Sequence, residues 1–448
     1  LKGRYDMIGW EKNGYGTLGF RIMGEDGQLY YDGKVSFSGT GPFEVVPTVI
    51  EGPFLHRVTH TAATIAFTTH VPADATLKIN GQELKTTAQT QHEIEVTGLA
   101  ADTDYDYTVS VGPIDQTYTL HTSPASGSRK PFVFAYASDS RAGQGGGERD
   151  IYGSNAYIMK KIMALANMKD AAFFQFSGDL INGYLTSPGE MDLQYANWKR
   201  AVEPFGHYFP IYVSMGNHEA LMRTFYKEGE RSGFSIDRFP YATESGEAIF
   251  ARNFVNPLNG PASEDGASYD PNPEVQDFPS YEENVFYYTY DNVAVVVMNS
   301  DYWYAPSTAG IPVTSGGMHG YIMDQQFAWL EKTILALESD ENIDHIFITQ
   351  HTPFFPNGGH VDDDMWYRGD NTKRAFANGK PLSRGILQRR DQMLDLIVNK
   401  SQKVLGILTG DEHNYARTTI GPKTNIYPSD YPDGQRIQLS RTIFQINN

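Results

Sequence analysis

The sequence predicts an all-β domain in the first third of the chain, followed by an α/β domain. Residues 46–125 contain short runs in which apolar and polar side chains alternate, as in strands with one buried face. After residue 130, short apolar runs alternate with segments of helical periodicity, which is the organisation of an α/β domain. At 448 residues the chain exceeds the size of a single hydrophobic core, so more than one domain is expected.

The first 45 residues are predicted to form a β-rich extension. They are punctuated by glycine, and Asp26-Gly27 lies between two runs that favour strands. An Asp-Gly pair in this position is a strong hairpin signal because it suits the tight turns that join antiparallel strands. We find no residues in this extension that predict chemistry.

Residues 46–125 are predicted to fold as a β-sandwich. Strands are expected at 63–69, 75–79 and 92–96. The stretch 97–109 resembles the end of a fibronectin type III module, in which a tyrosine such as Tyr105 anchors a corner. That resemblance implies an immunoglobulin/fibronectin-like domain. A segment rich in serine and proline, 123–131, is predicted to link it to the domain at 130–448.

The second domain is predicted to be built on six strands buried on both faces. Each is a short apolar run rich in β-branched or aromatic residues. The runs are 132–136, 172–176, 209–213, 293–297, 346–349 and 404–408. Helical periodicity is found at 157–167, 191–202, 324–337 and 387–398.

Polar motifs closely follow these strands. In α/β sheets, ligands collect beyond the carboxyl ends of strands, so we expect the motifs to converge. They are Asp139-Ser140-Arg141, Gly178-Asp179-Leu180-Ile181-Asn182, Gly216-Asn217-His218-Glu219, Gln350-His351 and Gly410-Asp411-Glu412-His413, with Asn299 and Asp301 after the run at 293–297. Each residue taken singly also fits an ordinary role, as a turn residue, a helix cap or a histidine at a strand end.

The composition limits the partners and the ligand types. The chain has 36 lysines and arginines against 54 acidic residues, a net charge of −18, which argues against nucleic-acid backbones and anionic membranes as main partners. It lacks cysteine, so metal ligands would be oxygen and imidazole. No apolar stretch approaches the roughly 18 residues of a membrane span. The aromatic, glycine-rich composition resembles exported bacterial proteins, so an extracytoplasmic location (periplasmic, secreted or surface-anchored) is expected.

The motif set resembles the calcineurin-like metallophosphoesterases, and the preceding fibronectin-like module resembles that of the purple acid phosphatases. The resemblance implies a metallophosphoesterase-type β-sandwich flanked by helices. It also implies two divalent or trivalent metal ions (Mn, Fe, Zn, Mg or Ca) that activate a hydroxide and neutralise the phosphoryl oxygens. The implied ligands are Asp139 and His413 for the first metal, Asn217 and His351 for the second, and Asp179 as the bridge.

His218 is implied to act as a general acid for the leaving oxygen or as a clamp on the phosphate. Glu219 and Glu412 are expected to support the ligands or cap turns. The loop at 356–381 contains His360 and a cluster of charged and aromatic residues, which suits either a substrate pocket or a solvated loop.

Three positions depart from the family pattern. Arg141 replaces the usual histidine or glycine and cannot bind metal; it either grips phosphate oxygens or forms a structural salt bridge. Asn182 replaces the tyrosine of purple acid phosphatases, with Tyr184 two residues further on. Asp411 replaces the first histidine of Gly-His-x-His; either it binds the second metal, which would favour harder cations than zinc, or it points away.

The sequence therefore predicts a metal-dependent phosphoester hydrolase acting on a small molecule. Candidate catalytic residues are His218 and Arg141, candidate metal ligands are Asp139, Asp179, Asn217, His351, Asp411 and His413, and candidate substrate-binding residues are Arg141, Asn182, Tyr184 and His360. The alternatives are a non-catalytic surface protein that binds metal or phosphate, and a nucleotidase or pyrophosphatase. The choice between monoester and diester, and the oligomeric state, are left open.

Overall fold

The described part of the chain starts with a short helix and a three-stranded antiparallel sheet. Helix α1 is Trp10–Asn13, and strands β1 to β3 are Tyr15–Met23, Leu29–Ser38 and Glu44–Val46. The turn predicted at Asp26-Gly27 joins β1 to β2, and Gly27 adopts a φ of 86°, which favours glycine. The computed structural model describes residues 9–142, 150–221, 223–235, 241–276, 278–305, 316–358 and 363–448.

The following five strands form the predicted all-β domain. They are β4 Val49–His56, β5 Ala62–Ile79, β6 Gln82–Thr97, β7 Asp104–Val111 and β8 Ile114–His121. β5 and β6 form one long antiparallel hairpin, and β5 pairs with β4 through its first half and with β7 through its second half. The backbone N–H of Ala100 donates to the Tyr105 hydroxyl at 2.8 Å, so this tyrosine does anchor the corner before β7.

The remaining strands belong mainly to two sheets of the α/β domain. β9 (Val133–Ala137), β10 (Ala171–Ser177) and β11 (Ile211–Ser214) form a parallel sheet with β10 in the centre. The other sheet has the order β14-β15-β16-β19-β21-β20, with parallel central strands and antiparallel edges. Its strands are Phe286–Tyr290, Val293–Val297, His345–Thr349, Val404–Thr409, Ile443–Asn447 and Ala416–Ile420 in that order. Two short hairpins are β12–β13 (Arg223–Lys227, Glu230–Ser235) and β17–β18 (Phe376–Ala377, Lys380–Pro381).

The two sheets pack face to face through aromatic side chains. Tyr212 of the three-stranded sheet stacks on Tyr288 of the larger sheet with ring centroids 3.7 Å apart. Phe134 and Phe347 meet edge to face across the same layer at 5.5 Å. These contacts bury the inner faces, so the predicted metallophosphoesterase-type sandwich is confirmed.

Helices cover the outer faces of the sandwich. The remaining helices are α2 Ala156–Met168, α3 Pro188–Gly206, α4 Tyr241–Glu244, α5 Gly246–Asn253, α6 Asp324–Ser339 and α7 Ile386–Leu394, which continues as a π-helical segment Asp395–Lys400. Asn155 and Ser187 cap α2 and α3 by accepting backbone N–H groups. The four long helices predicted from periodicity are confirmed. Among the helices of the described residues, none is long and apolar enough to cross a membrane.

Helix α3 connects the all-β domain to the α/β domain. The Arg200 guanidinium donates to the Ile50 carbonyl oxygen at 2.6 Å, and Lys199 forms an ion pair with Glu51 at 2.5 Å. On the other side of the helix, the Trp198 indole N–H donates to the Ser140 hydroxyl at 2.8 Å. The position of the loop after β9, which contains Ser140, therefore depends on the packing of α3. The boundary predicted at residues 125–130 stays a prediction.

Candidate metal centre

Polar side chains from both sheets meet at the carboxyl ends of the strands. Asp139 and Asp179 follow β9 and β10 of the small sheet, whereas His351 follows β16 of the large sheet. Each of these three residues offers a ligand atom, and the three atoms lie within 4.8 Å of one another. The structure therefore brings residues that are distant in sequence to one end of the sandwich.

Asp139 is held with one carboxylate oxygen free to bind a cation. Its backbone adopts a left-handed φ of 56°, and its N–H donates to the Gly178 carbonyl oxygen at 3.2 Å. Its Oδ2 accepts from the Ser138 hydroxyl at 2.5 Å and from the backbone N–H of Asp411 at 2.9 Å. Oδ1 has no hydrogen-bond partner among the described residues.

Glu219 fixes the loops that carry Asp179 and Asn217. This carboxylate is fully buried and accepts from the backbone N–H groups of Gly216 at 2.7 Å and of Asp179 and Leu180 at 2.8 Å. Burial, with the negative charge of Asp179, raises the pKa of Glu219, and the Gly216 N–H opposes this increase. The prediction that Glu219 supports the ligands agrees with this placement.

The amide of Asn217 is oriented by Tyr184. Its Nδ2 donates to the Tyr184 hydroxyl, so Oδ1 faces the other way. That Oδ1 is buried and lacks a hydrogen-bond partner in the described part of the chain. An amide oxygen oriented in this way is a suitable ligand for a hard cation.

His351 is fully buried and has a fixed tautomer. Its Nδ1–H donates to the Ser177 carbonyl oxygen at 2.8 Å, which leaves the Nε2 lone pair for a cation. Nε2 lies 3.2 Å from Asp179 Oδ1 and 3.7 Å from Asp411 Oδ1. This hydrogen bond orients His351 as histidine ligands are commonly oriented.

Asp411 points into the cluster. Its backbone adopts a left-handed φ of 71°, and its buried carboxylate directs Oδ1 toward His351. Its Oδ2 accepts from His319 Nε2 at 3.1 Å. His319 was not predicted as a site residue, because it lies in a loop with no motif around it.

Arg141 lies between two histidines of the cluster. Its guanidinium donates to His218 Nε2 at 2.6 Å and to His413 Nε2 at 2.8 Å. Its Nε is 3.8 Å from Asp179 Oδ2. His413 Nε2 is also 3.5 Å from Asp139 Oδ1. The guanidinium therefore occupies the mouth of the cluster, where its charge faces the candidate ligands.

The donor set fits metal ions. Asp139 Oδ1, Asn217 Oδ1 and His351 Nε2 are buried atoms that make no hydrogen bond to any described residue, although buried polar atoms are nearly always paired. They are two oxygens and an imidazole nitrogen, which bind first-row divalent cations as well as harder ions. Ligand atoms of Asp139 and His351 lie within 4.8 Å of an Asp179 carboxylate oxygen, and the two oxygens of Asp179 suit a bridging role.

The electrostatics of the cluster also favour cations. Burial lowers the pKa of His351, but Asp179, Asp139 and Asp411 outweigh it and raise that pKa well above its usual range. Burial raises the pKa of Asp179, but His351, His218 and Arg141 hold it below its ordinary value. The cluster thus stabilises positive charge near its carboxylates.

Two glycines allow the loops to approach each other closely. A Cβ at Gly216 would lie 2.5 Å from Asp179 Oδ1, and a Cβ at Gly410 would lie 1.8 Å from the Ser138 hydroxyl. Real Cβ atoms essentially never come within 3.0 Å of such neighbours. The glycines of the two motifs are therefore required by the packing of the ligand loops.

A model of the calcineurin-like phosphoesterase family matches residues 150–415, more than half of the chain. The chain belongs to the calcineurin-like phosphoesterases. It is therefore a metal-dependent phosphoesterase. The matched segment contains all the predicted metal ligands except Asp139, which lies shortly before it.

One solved structure supports this fold, and a second is less similar to it. The structure of PhoD shares 14% sequence identity with this phosphoesterase, at a TM-score of 0.54, over 88% of this chain and 76% of that chain. A dimetal phosphatase from Danio rerio shares 12% identity at a TM-score of 0.39, over 70% of this chain and 86% of that chain. The likeness to PhoD shows the fold alone. No curated protein matches the chain.

Two of the predicted substrate-binding residues of this phosphoesterase, Asn182 and Tyr184, lie beside His218. Asn182 Oδ1 accepts from the Ala142 backbone N–H at 2.9 Å, and its carbonyl oxygen accepts from His218 Nδ1 at 2.5 Å. The Tyr184 ring lies 4.2 Å from the His218 ring, between centroids. His360 lies outside the described residues. Asn182 and Tyr184 therefore both contact His218, and Tyr184 also contacts the candidate ligand Asn217.

Proposed function

We propose that this phosphoesterase hydrolyses small-molecule phosphoesters at a centre of two cations. The observation that carries the proposal is that three buried ligand atoms, Asp139 Oδ1, Asn217 Oδ1 and His351 Nε2, make no hydrogen bond to a described residue. They come from three strand ends, and those of Asp139 and His351 lie within 4.8 Å of each other and of a carboxylate oxygen of Asp179. A merely structural cluster would pair these atoms, because leaving a buried polar atom unpaired costs about 1–3 kcal/mol.

The proposed ligand sets share Asp179. Asp139 and His413 would hold the first cation, and their facing atoms are 3.5 Å apart. Asn217, His351 and Asp411 would hold the second. Since Asp411 supplies a carboxylate where the family pattern has histidine, we propose manganese, iron, magnesium or calcium in preference to zinc.

Two bound cations would neutralise phosphoryl oxygens and lower the pKa of a coordinated water. Arg141 supplies further positive charge, and its planar guanidinium matches two phosphate oxygens. In this role the guanidinium exchanges its contacts with His218 and His413 for contacts with substrate. Arg141 would thus serve binding and charge stabilisation together.

His218 is the proposed general acid. Its Nδ1–H is held by the Asn182 carbonyl oxygen at 2.5 Å, so its Nε2 is the nitrogen that faces the cluster. Burial lowers the pKa of His218, Asp179 raises it, and Arg141 lowers it. When a phosphate takes over the guanidinium of Arg141, His218 Nε2 is released from that contact, takes up a proton from solvent and can then pass that proton to the leaving oxygen.

The proposed substrate is a phosphomonoester or a phosphodiester, and a panel of both ester classes decides between them.

We also propose that the protein acts outside the cytoplasm, on the basis of its glycine- and aromatic-rich composition.

The experiment measures hydrolysis of p-nitrophenyl phosphate and bis(p-nitrophenyl) phosphate after loading with Mn2+, Mg2+, Ca2+, Fe2+ or Zn2+. The expected result is turnover of at least one ester, with Mn2+ bound. Asp179→Asn should reduce kcat/KM by about 10²- to 10³-fold. The matched control is Asp433→Asn, because the Asp433 side chain is 97% exposed.

Two outcomes would contradict the proposal. The first is wild-type protein that binds less than one metal ion per chain and hydrolyses neither ester, which would favour the non-catalytic alternative. The second is full turnover by Asp179→Asn, which would show that Asp179 does not bridge the cations. Hydrolysis of nucleotides or pyrophosphate in preference to both aryl esters would instead redefine the substrate class.

A further inference from the structure

A buried chain of three side chains lies behind the metal cluster. His319 is fully enclosed by two carboxylates: its Nε2 faces Asp411 Oδ2 at 3.1 Å, and its Nδ1 contacts Asp301 Oδ1. All three residues are nearly inaccessible to solvent. They come from the loop before α6 and from the ends of β15 and β19. Asp411 is the one proposed ligand among the three, and neither His319 nor Asp301 belongs to the ligand set described above.

Asp301 is itself held in place. Its Oδ2 accepts from the Ser300 hydroxyl at 2.8 Å and from the Thr352 hydroxyl at 3.3 Å. Its backbone N–H donates to Asn299 Oδ1 at 3.0 Å. Thr352 follows His351 directly, so the network joins the ends of the neighbouring strands β15 and β16.

We propose that His319 is a positioning residue that presents Asp411 to the second cation, with Asp301 orienting His319. The inference rests on the proposed role of Asp411 as a ligand. His319 holds Oδ2, and Oδ1 lies on the side of His351, 3.7 Å from its Nε2. Because both ring nitrogens of His319 face carboxylates, neither has a lone pair directed at the cluster.

This arrangement accounts for the departure at Asp411. The common order in metal sites is a carboxylate that orients a histidine ligand. Here the order is reversed: a histidine orients a carboxylate ligand. An isolated carboxylate can rotate, whereas the bond from His319 to Oδ2 fixes the direction of the Asp411 carboxylate. At Asp411 the family pattern has a histidine ligand. In this chain the imidazole of His319 instead contacts the carboxylate of Asp411, which is the proposed ligand.

The test compares His319→Leu, which removes both ring nitrogens, with His319→Gln, whose amide can still donate to Asp411. His345→Leu and His345→Gln are the matched controls because His345 is exposed at the start of β16. Mn2+ binding to metal-free protein is measured by isothermal titration calorimetry, with the bound metal counted separately. Thermal unfolding without metal reports whether each variant folds.

The expected result is a Kd for one of two Mn2+ ions that is about 10- to 100-fold weaker in His319→Leu. The other Mn2+ should bind as in the wild type. His319→Gln should recover part of the affinity, and both His345 variants should match the wild type. In turnover assays, kcat at saturating Mn2+ should recover more in His319→Gln than in His319→Leu.

Wild-type affinity for both Mn2+ ions in His319→Leu would overturn the inference while leaving the proposed function intact. If His319→Leu does not fold, His319→Gln and Asp301→Asn decide. An unchanged Mn2+ affinity in both variants would overturn the inference. Weaker binding of the second Mn2+ ion by a folded variant would support the inference. Failure of the wild type to bind Mn2+ would overturn the proposed function, and this inference with it.

Discussion

Replacing Gly216 by alanine tests whether the spacing of the ligand loops is required for activity. Gly216 has a φ of −113°, which alanine adopts readily, so the substitution adds a methyl group without straining the backbone. The new Cβ would lie 2.5 Å from Asp179 Oδ1 and 2.8 Å from His351 Cδ2. The perturbation is therefore a steric push on two candidate ligands.

The size of the effect follows from these distances. Ordinary van der Waals contact with a Cβ begins at 3.4 Å, and the new Cβ would lie 2.5 Å from Asp179 Oδ1. Relief of the clash therefore requires the two atoms to move apart by about 0.9 Å. A misplacement of about 1 Å in a catalytic group costs roughly 100-fold in rate. That factor corresponds to about 2.7 kcal/mol of transition-state stabilisation.

The assay is kcat/KM for aryl phosphate hydrolysis at saturating Mn2+, together with bound Mn2+ and the thermal melting temperature. Gly434→Ala is the matched control, because a Cβ at Gly434 meets nothing within 4 Å and the residue lies on the surface. Gly216→Ala should lose roughly 100-fold in kcat/KM while Gly434→Ala retains it. Equal kcat/KM values in the two variants would refute the reasoning.

Three further predictions concern stability. Trp198→Phe removes the hydrogen bond to Ser140 and should lower the free energy of unfolding in urea by about 1–2 kcal/mol; no change would show that this bond does not stabilise the loop. Chelation of Mn2+ should lower the melting temperature, since a ligand at 100 times its Kd stabilises the folded state by about 2.7 kcal/mol; an unchanged melting temperature would contradict a bound cation. Burial lowers the pKa of His56 from 6.5 to about 3. Below pH 6.5 the unfolded state therefore binds a proton at this residue that the folded state does not bind. The free energy of unfolding should fall as the pH decreases from 6.5, by about 1.4 kcal/mol per pH unit from His56 alone. His56→Gln should flatten that decrease relative to replacement of the exposed His60, and an equal slope would contradict the assignment.

The sequence was most informative about the strands and the motifs that follow them. The run 293–297 coincides with β15, and the runs before Asp179 and Asp411 lie within β10 and β19. This agreement has a physical reason: strands buried on both faces are continuous apolar runs, and turn residues mark their ends. Convergence of the motifs then followed from parallel strands sharing one end.

The surroundings of the site were harder to predict. His319 lies 92 residues before Asp411 in the sequence, in a loop whose path depends on tertiary packing rather than on local pattern. For Asp411 the sequence left two orientations open, because a side-chain direction in a turn depends on its neighbours. For Arg141 it left the partners open, and the structure shows two histidines as partners of its guanidinium. Such contacts are long-range, so no local periodicity encodes them.

The central claim is that two cations share Asp179 at the strand ends. Anomalous diffraction from crystals of the Mn2+-loaded protein tests it most directly. We predict two Mn2+ peaks, both contacted by Asp179, one beside Asp139 and the other beside His351. A map with no peak at this cluster, or with a peak that Asp179 does not contact, would contradict the account.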